Sequence, residues 1–332
     1  MELDSGNVAW MLTASALVLF MTPGLGFFYG GLTRNKNVLA TIMQSFITTG
    51  VVAILWCVVG YSLAFGPDQG RGIIGNFDFL GLKDVGALPG GPNVSFDAEG
   101  NLASGSVYGL GIPHLLFMSF QMMFAIITPA LITGAFAERA KFGPFLIFTA
   151  LWSLLVYVPV AHWVFAYDGW LSAFSTNADA PDIGLNSLDF AGGLAIHVNA
   201  GFAAIAAVVV FGKRKGYGKE PMEPHDITMV VLGAAILWVG WFGFNAGSAG
   251  GATAQAAYAF TKTGSSWSQT KKFADPEGTV RQFGCSVAVT PALIAVGTDA
   301  AGGVGGAGGG GAPLVAATPS ALAVHVFVLS GG

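Results

Sequence analysis

The sequence predicts an all-α polytopic membrane protein, and three observations carry that prediction. The chain is 53% apolar and 10% charged, with a mean hydropathy of +0.65, too oily and too poor in charge for an ordinary water-soluble fold. Its charged residues cluster, leaving residues 5–33, 37–67, 100–137, 142–167, 190–212 and 227–261 without Asp, Glu, Lys or Arg. Each gap holds a span of about 20 residues. Within the gaps apolar residues continue on every face and lack the period-2 alternation of barrel strands, so helices are what satisfies the backbone.

The spans read as 8–33, 38–65, 112–136, 143–166, 186–212 and 226–250. The first follows Glu2 and Asp4, where a cleaved signal peptide would carry cations before a shorter apolar run, so it is kept as a span. It closes in Pro23-Gly24-Leu25-Gly26-Phe27-Phe28-Tyr29-Gly30-Gly31, and the second leads into a Gly-, Asp-, Asn- and Pro-rich connection over 66–111. The third carries Phe117, Phe120, Gln121, Met122, Met123 and Phe124, with Phe120 and Phe124 four apart on one face. The fourth ends near Ala161-His162-Trp163-Val164-Phe165, and the fifth opens with Asp189-Phe190-Ala191-Gly192-Gly193 and continues through His197. The sixth ends in Trp241-Phe242-Gly243-Phe244-Asn245-Ala246-Gly247-Ser248. Glycine paired with aromatics in the first and sixth spans, one running inward and one outward, fits two halves of an inverted repeat. Glycine that simply lets helices approach closely explains each segment equally well.

Arg34, Lys36, Arg139, Lys141, Lys213, Arg214, Lys215 and Lys219 follow the first, third and fifth spans, whereas Asp68, Asp78, Asp84, Asp97, Glu99, Asp168, Asp179 and Asp182 lie in the other connections. The positive-inside rule then puts the N-terminus outside. Beyond residue 255 the pattern breaks. Residues 262–281 are charged where the outside is expected, 282–298 is a marginal span interrupted by Pro291, and 302–311 is nearly all glycine. Residues 1–255 therefore read as one six-span unit and 256–332 as a divergent, truncated or frame-shifted remainder of a second half.

Asp189 and His197 are the ionisable residues of the fifth span, and polar groups held in a span are functional candidates. On a helix, eight residues turn about 80° and rise about 12 Å, which puts Asp189 near the outer mouth and His197 deeper on broadly the same side. Asp189 reads either as a helix cap or as part of a site. His197 reads either as a packed histidine or as a proton carrier near neutral pH. The Phe120–Phe124 stripe reads as core packing or, at an outer mouth, as faces that hold a cation such as ammonium. Cys57 and Cys285 give no disulfide framework and no metal spacing, and no haem-attachment, nucleotide-loop or nucleophile–base arrangement is present, so neither an enzyme nor a cofactor is expected. Structural roles are expected for His114, His162 and His225. The basic residues are too few and too close to the membrane for nucleic-acid binding.

With these motifs in this order, residues 5–255 resemble the ammonium transporters of the Amt/Mep/Rh superfamily. The residues that carry the likeness are Gly26–Gly31, Phe120–Ala125, Ala137-Glu138-Arg139, Asp189–Gly193 with His197, and Trp241–Ser248. The resemblance implies an inverted-repeat helical bundle of eleven spans, a homotrimer with one pore per subunit, and an outer site that recruits ammonium. Phe120 would belong to that site, with Phe165 over the ion, Ser248 accepting a hydrogen bond from it and Asp189 stabilising the site from behind. Phe124 and Phe244 would form the gate, and His197 would be the first of two pore histidines. Two positions depart from the pattern. Many members have tryptophan where Phe165 stands, which leaves a weaker cation–π face. The second pore histidine belongs to a His-x-x-Gly-Gly motif that is absent; His325 alone is available there, with Gly331 and Gly332 at another spacing. The expectation is ammonium transport in the cell membrane, the alternatives being a sensor with little flux or an inactive truncated transporter. The expected partners are ammonium or ammonia, membrane lipid, and a cytoplasmic trimeric signal protein of nitrogen regulation.

Overall fold

The protein is described by a computed structural model that defines residues 3–95, 97, 107–109, 111–172, 187 and 189–248 with their side chains, and the backbone of residue 96 and of short strands over 102–104 and between 256 and 328. The chain divides into two units, Met1–Gly250 and Gly251–Gly332. In the first, six helices are long and apolar enough to cross a membrane: α1 (Ser5–Leu32), α2 (Asn35–Phe65), α3 (His114–Phe136), α4 (Phe142–Phe165), α5 (Gly193–Phe211) and α6 (Ile227–Ser248). They alternate in direction, so Asp4, Phe65, His114, Phe165 and Ser248 share one face, the N-terminal face, and Leu32, Phe136, Phe211 and Ile227 share the opposite one. Asp4 caps α1 by accepting from the Asn7 amide at 2.7 Å.

Helices α1 and α6 run antiparallel along their length, and the glycines of both make this seam. A Cβ on Gly31 would lie 2.5 Å from the Asp226 carbonyl, and one on Gly243 would lie 2.7 Å from the Ala14 carbonyl. At Gly233 it would fall on the backbone nitrogen of Phe28. Small residues substitute for the hydrophobic effect in lipid by letting backbones touch. This is the close-approach reading of the glycine–aromatic segments.

Helix α3 is the most buried of the six and packs against α1, α2 and α5. Its hydroxyls are satisfied locally or across the interface: Thr128 donates to the Phe124 carbonyl at 2.6 Å, and Thr133 meets Ser45 of α2 at 2.9 Å. Both α2 and α4 widen into a π turn, at Trp56–Gly60 and Ser153–Tyr157, and the Trp56 and Tyr157 rings from these turns lie 6.1 Å apart. At the opposite face Glu138, in a left-handed conformation with φ of 60°, is buried under Arg34, whose backbone nitrogen and guanidinium both donate to it at 2.7–2.9 Å. Arg34 also pairs with Glu220 at 2.8 Å, and Thr33 accepts from His225 at 3.0 Å, so the loop between α5 and α6 is tied to the end of α1.

The second unit is described as strands. Ala256–Thr263 pairs antiparallel with Ser266–Ala274, and Ser286–Thr290, Leu293–Gly297 and Val324–Val328 form a three-stranded antiparallel sheet. Within the marginal span at 282–298, the described residues Ser286–Thr290 and Leu293–Gly297 are two paired strands. Pro291 interrupts any helix there, and the β-branched runs on either side of it suit extended backbone. His325 sits in the last strand, and its side chain lies outside the described residues.

Candidate functional site

Aromatic rings descend in a ladder from the N-terminal face between α3, α5 and α6. Phe120 meets Phe124 edge-on with centroids 4.8 Å apart, and Phe124 meets Phe244 of α6 at 4.7 Å and 64°. All three are at most 2% exposed, so no open path passes between them. Below Phe244, His197 lies nearly parallel to Trp241, with centroids 5.7 Å apart and planes 14° apart. Phe244 is 5.6 Å from His197 and 5.2 Å from Trp241. Beneath them opens a cavity of about 230 Å³, lined by His197, Trp241, Phe244, Leu25, Phe28, Tyr29, Leu131 and other apolar residues. The Tyr29 hydroxyl is spent on the Leu131 carbonyl at 2.9 Å, so the wall it shows the cavity is largely apolar.

Two positions on α3 and two on α6 build this stack because residues one turn apart share a face: Phe120 over Phe124, and Phe244 over Trp241. On α5 the placement is less regular. Helix α5 begins at Gly193, not at 186, and Asp189 lies ahead of it. The Asp189 carboxylate accepts from four backbone amides, Gly192 at 2.6 Å, Gly193 at 2.8 Å, Leu194 at 2.8 Å and Ala195 at 3.0 Å. That satisfies the orphan donors of the helix start. Gly192 has φ of 88°, a left-handed turn that admits Gly, and a π turn over Gly193–Val198 follows. The expected 80° rotation between Asp189 and His197 therefore does not apply, since only His197 is on the helix. The geometry makes Asp189 a cap of the helix start, ahead of the π turn that carries His197.

Ser248 donates its hydroxyl proton to the Phe244 carbonyl at 2.7 Å, which leaves its lone pairs as acceptors at the top of the stack. Phe165 is half-buried at the end of α4 and packs against the core, but among the described residues its ring does not contact Phe120, Phe124 or Phe244. Trp163 points elsewhere, donating to the Ile73 carbonyl at 2.7 Å. His114 bonds the Tyr61 hydroxyl at 2.6 Å, which with the His225 contact accords with structural roles for both. Trp241 belongs to this ring stack, a position that sequence reasoning passed over although it stands three before Phe244 and so on the same face. Among the described residues no group of three or more His, Cys, Asp or Glu is placed to hold a metal ion.

Among the described residues this arrangement offers hydroxyl lone pairs and aromatic rings above, a closed pair of rings, and one imidazole facing a largely apolar cavity below. The profile of the family described as Ammonium Transporter Family matches residues 9–274. A protein of Mycobacterium tuberculosis named ammonium transporter is 44% identical over 307 residues, covering 88% of this chain and 61% of its own length. The crystal structure of Saccharomyces cerevisiae Mep2 superposes with a TM-score of 0.62 at 36% identity, over 76% of this chain and 52% of that one. A structure titled Sensor Amt Protein gives 0.58 at 28% identity, over 73% and 54%. The chain thus spans about six tenths of the length of the curated relatives it matches.

Proposed function

Because the chain belongs to the ammonium transporter family, we propose that it passes ammonium nitrogen across the cell membrane by recruiting the ion at the N-terminal face and excluding charge at the Phe124–Phe244 gate. The observation that carries this reading is the closed pair of buried rings, 4.7 Å apart, with the His197 imidazole directly beneath at the mouth of an apolar cavity.

The physics follows from the cavity. Moving a small ion from water into a low-dielectric space has an idealised cost of order 20 kcal/mol, far more than a cation–π contact of roughly 0.5–2 kcal/mol returns. Potassium, similar in size to ammonium, meets that cost in full. Ammonium escapes it by leaving a proton at the gate and crossing as neutral ammonia, and His197 is the titratable side chain there to take or relay that proton. Phe120 and Phe165 supply ring faces for the recruited ion, Ser248 supplies acceptor lone pairs, and Asp189 acts at one remove by fixing the π turn. His325, the histidine of the second unit, is proposed as the second pore histidine that the family resemblance implies.

The N-terminal face is read as the outer one, with the cationic connections inside. A homotrimer with one path per subunit, a cytoplasmic nitrogen-regulatory signal protein as partner, and residues 256–332 as the divergent remainder of a second half complete the proposal. The test is a current from protein in liposomes on a supported membrane after an ammonium jump. A current that tenfold excess potassium leaves intact and that His197→Ala abolishes supports the reading. A current that potassium carries equally well overturns it.

A further inference from the structure

At the N-terminal face, away from the gate, His162 is buried at 0% exposure in the last turn of α4. Its Nδ1 lies 2.9 Å from the Ala64 carbonyl oxygen near the end of α2. Its Nε2 lies 3.3 Å from Oδ1 of Asp68 and 4.0 Å from Oδ1 of Asp168. The two carboxylates are themselves 8% and 17% exposed, and Oδ2 of Asp168 accepts from the Asp68 backbone amide at 2.7 Å. A carbonyl oxygen has no proton to give, so Nδ1 donates to Ala64, and Nε2 is left to the two carboxyl groups. The ring thereby bridges the end of α2 to both loop carboxyls, which satisfies polar groups that would be costly to bury alone.

Around this cluster the chain is tightly sewn. Trp170 donates to the Gly72 carbonyl at 3.1 Å, Leu171 to the Trp163 carbonyl at 3.0 Å, and the Trp163 indole to Ile73 at 2.7 Å. Gly169 has no room for a side chain, since a Cβ there would fall on the carbonyls of His162 and Trp163. Phe165 lies inside this corner, three residues after His162 and three before Asp168. The other titratable groups near the cluster are Tyr108, whose charge state Asp168 influences, together with Tyr61 and Tyr167 beside it, while Arg71 of the same corner is exposed.

We propose that the Asp68–His162–Asp168 cluster is a corner latch, and that His162 is a positioning residue for ammonium recruitment, acting through Phe165 by locking the outer ends of α2 and α4 together. The inference rests on the recruitment reading given above.

The test is a double-mutant cycle on the half-saturating ammonium concentration and the maximal transport current, measured for the unsubstituted protein, His162→Gln, Phe165→Ala and the pair. Gln donates from one nitrogen only, so it cannot bridge Ala64 and the carboxylates. The latch predicts that each single variant raises half-saturation about fivefold to tenfold, the scale of one lost cation–π contact, with the maximal current kept within about twofold. It also predicts that the double variant shows no further rise. Shifts that multiply in the double variant, or an unchanged half-saturation in His162→Gln, overturn the proposal. Asp168→Asn, on the more exposed arm, gives the same reading with a smaller shift and serves if His162→Gln does not fold. If the unsubstituted protein passes no current, the transport reading fails, and the same cycle is read from calorimetric titration with ammonium chloride. Retained binding with the cycle intact then upholds the latch, and absent binding overturns it as well.

Discussion

Replacing Asp189 with alanine removes one acceptor group from four backbone amides at once, those of Gly192, Gly193, Leu194 and Ala195. Two of these bonds are buried, and all four are to a carboxylate. Even at about 1 kcal/mol each, below the range for bonds to charged groups, the loss is roughly 4 kcal/mol, a large share of the stability of a typical domain. The melting temperature of the detergent-solubilised protein should therefore fall by roughly 10 °C, read by fluorescence-detected size exclusion after a heating series. Asp189→Asn keeps one oxygen for two of the amides but turns an NH2 toward the other two, so about half the fall is expected. Flux should be lost in both, because the π turn no longer aims His197. An Asp189→Ala protein that melts within about 2 °C of the original and still loses transport would show that the carboxylate acts on the ion directly, and the capping argument would be refuted.

Substituting Gly233→Ala should destabilise the bundle by several kcal/mol, because its Cβ meets backbone of α1, whereas Gly50→Ala, with nothing within 4 Å, should melt within about 2 °C of the original. Phe244→Ala removes ring contacts to Phe124, His197 and Trp241 together, and a loss of about 3–5 kcal/mol is expected along with leakage of potassium in the liposome assay. Burial opposes ionisation of Glu138, but its bonds and charge pairing with Arg34 outweigh that and hold its carboxyl below the ordinary value. A depressed carboxylate stabilises above its unfolded value, near 4.3, and that contribution fades as pH falls through the folded value. Melting temperature should thus drop on acidification below about pH 4.3, and Glu138→Gln should be less stable at neutral pH with a shallower acid limb.

The spans were legible because bilayer thickness fixes a length and charge is excluded from it, so gaps such as 37–67 and 227–261 translate directly into α2 and α6. The start of α5 was not legible. Its position depends on the Asp189 side chain bonding backbone amides across a left-handed Gly192, which apolar periodicity over 186–212 does not register. The Phe120–Phe124 pair could be read from spacing on one helix, but the contact between Phe124 and Phe244 joins helices about 120 residues apart, and only the resemblance pointed to it. Trp241 offered the same signal as Phe120, a same-face aromatic one turn from a gate residue, and was passed over. His162 was read as structural from its sequence context. Its carboxylate partners come from two different connections, and only folding brings Asp68 and Asp168 to it.

On this proposal the cavity below Phe244 rejects ions because its lining is largely apolar. The most direct measurement is the potassium current of His197→Asp liposomes, set beside the ammonium current of the same preparation. A fixed carboxylate in the cavity would offset the desolvation of a cation, so a potassium current should appear where the unsubstituted protein shows none. Continued exclusion of potassium, with the ammonium current undiminished, would place the ion barrier elsewhere and contradict the account.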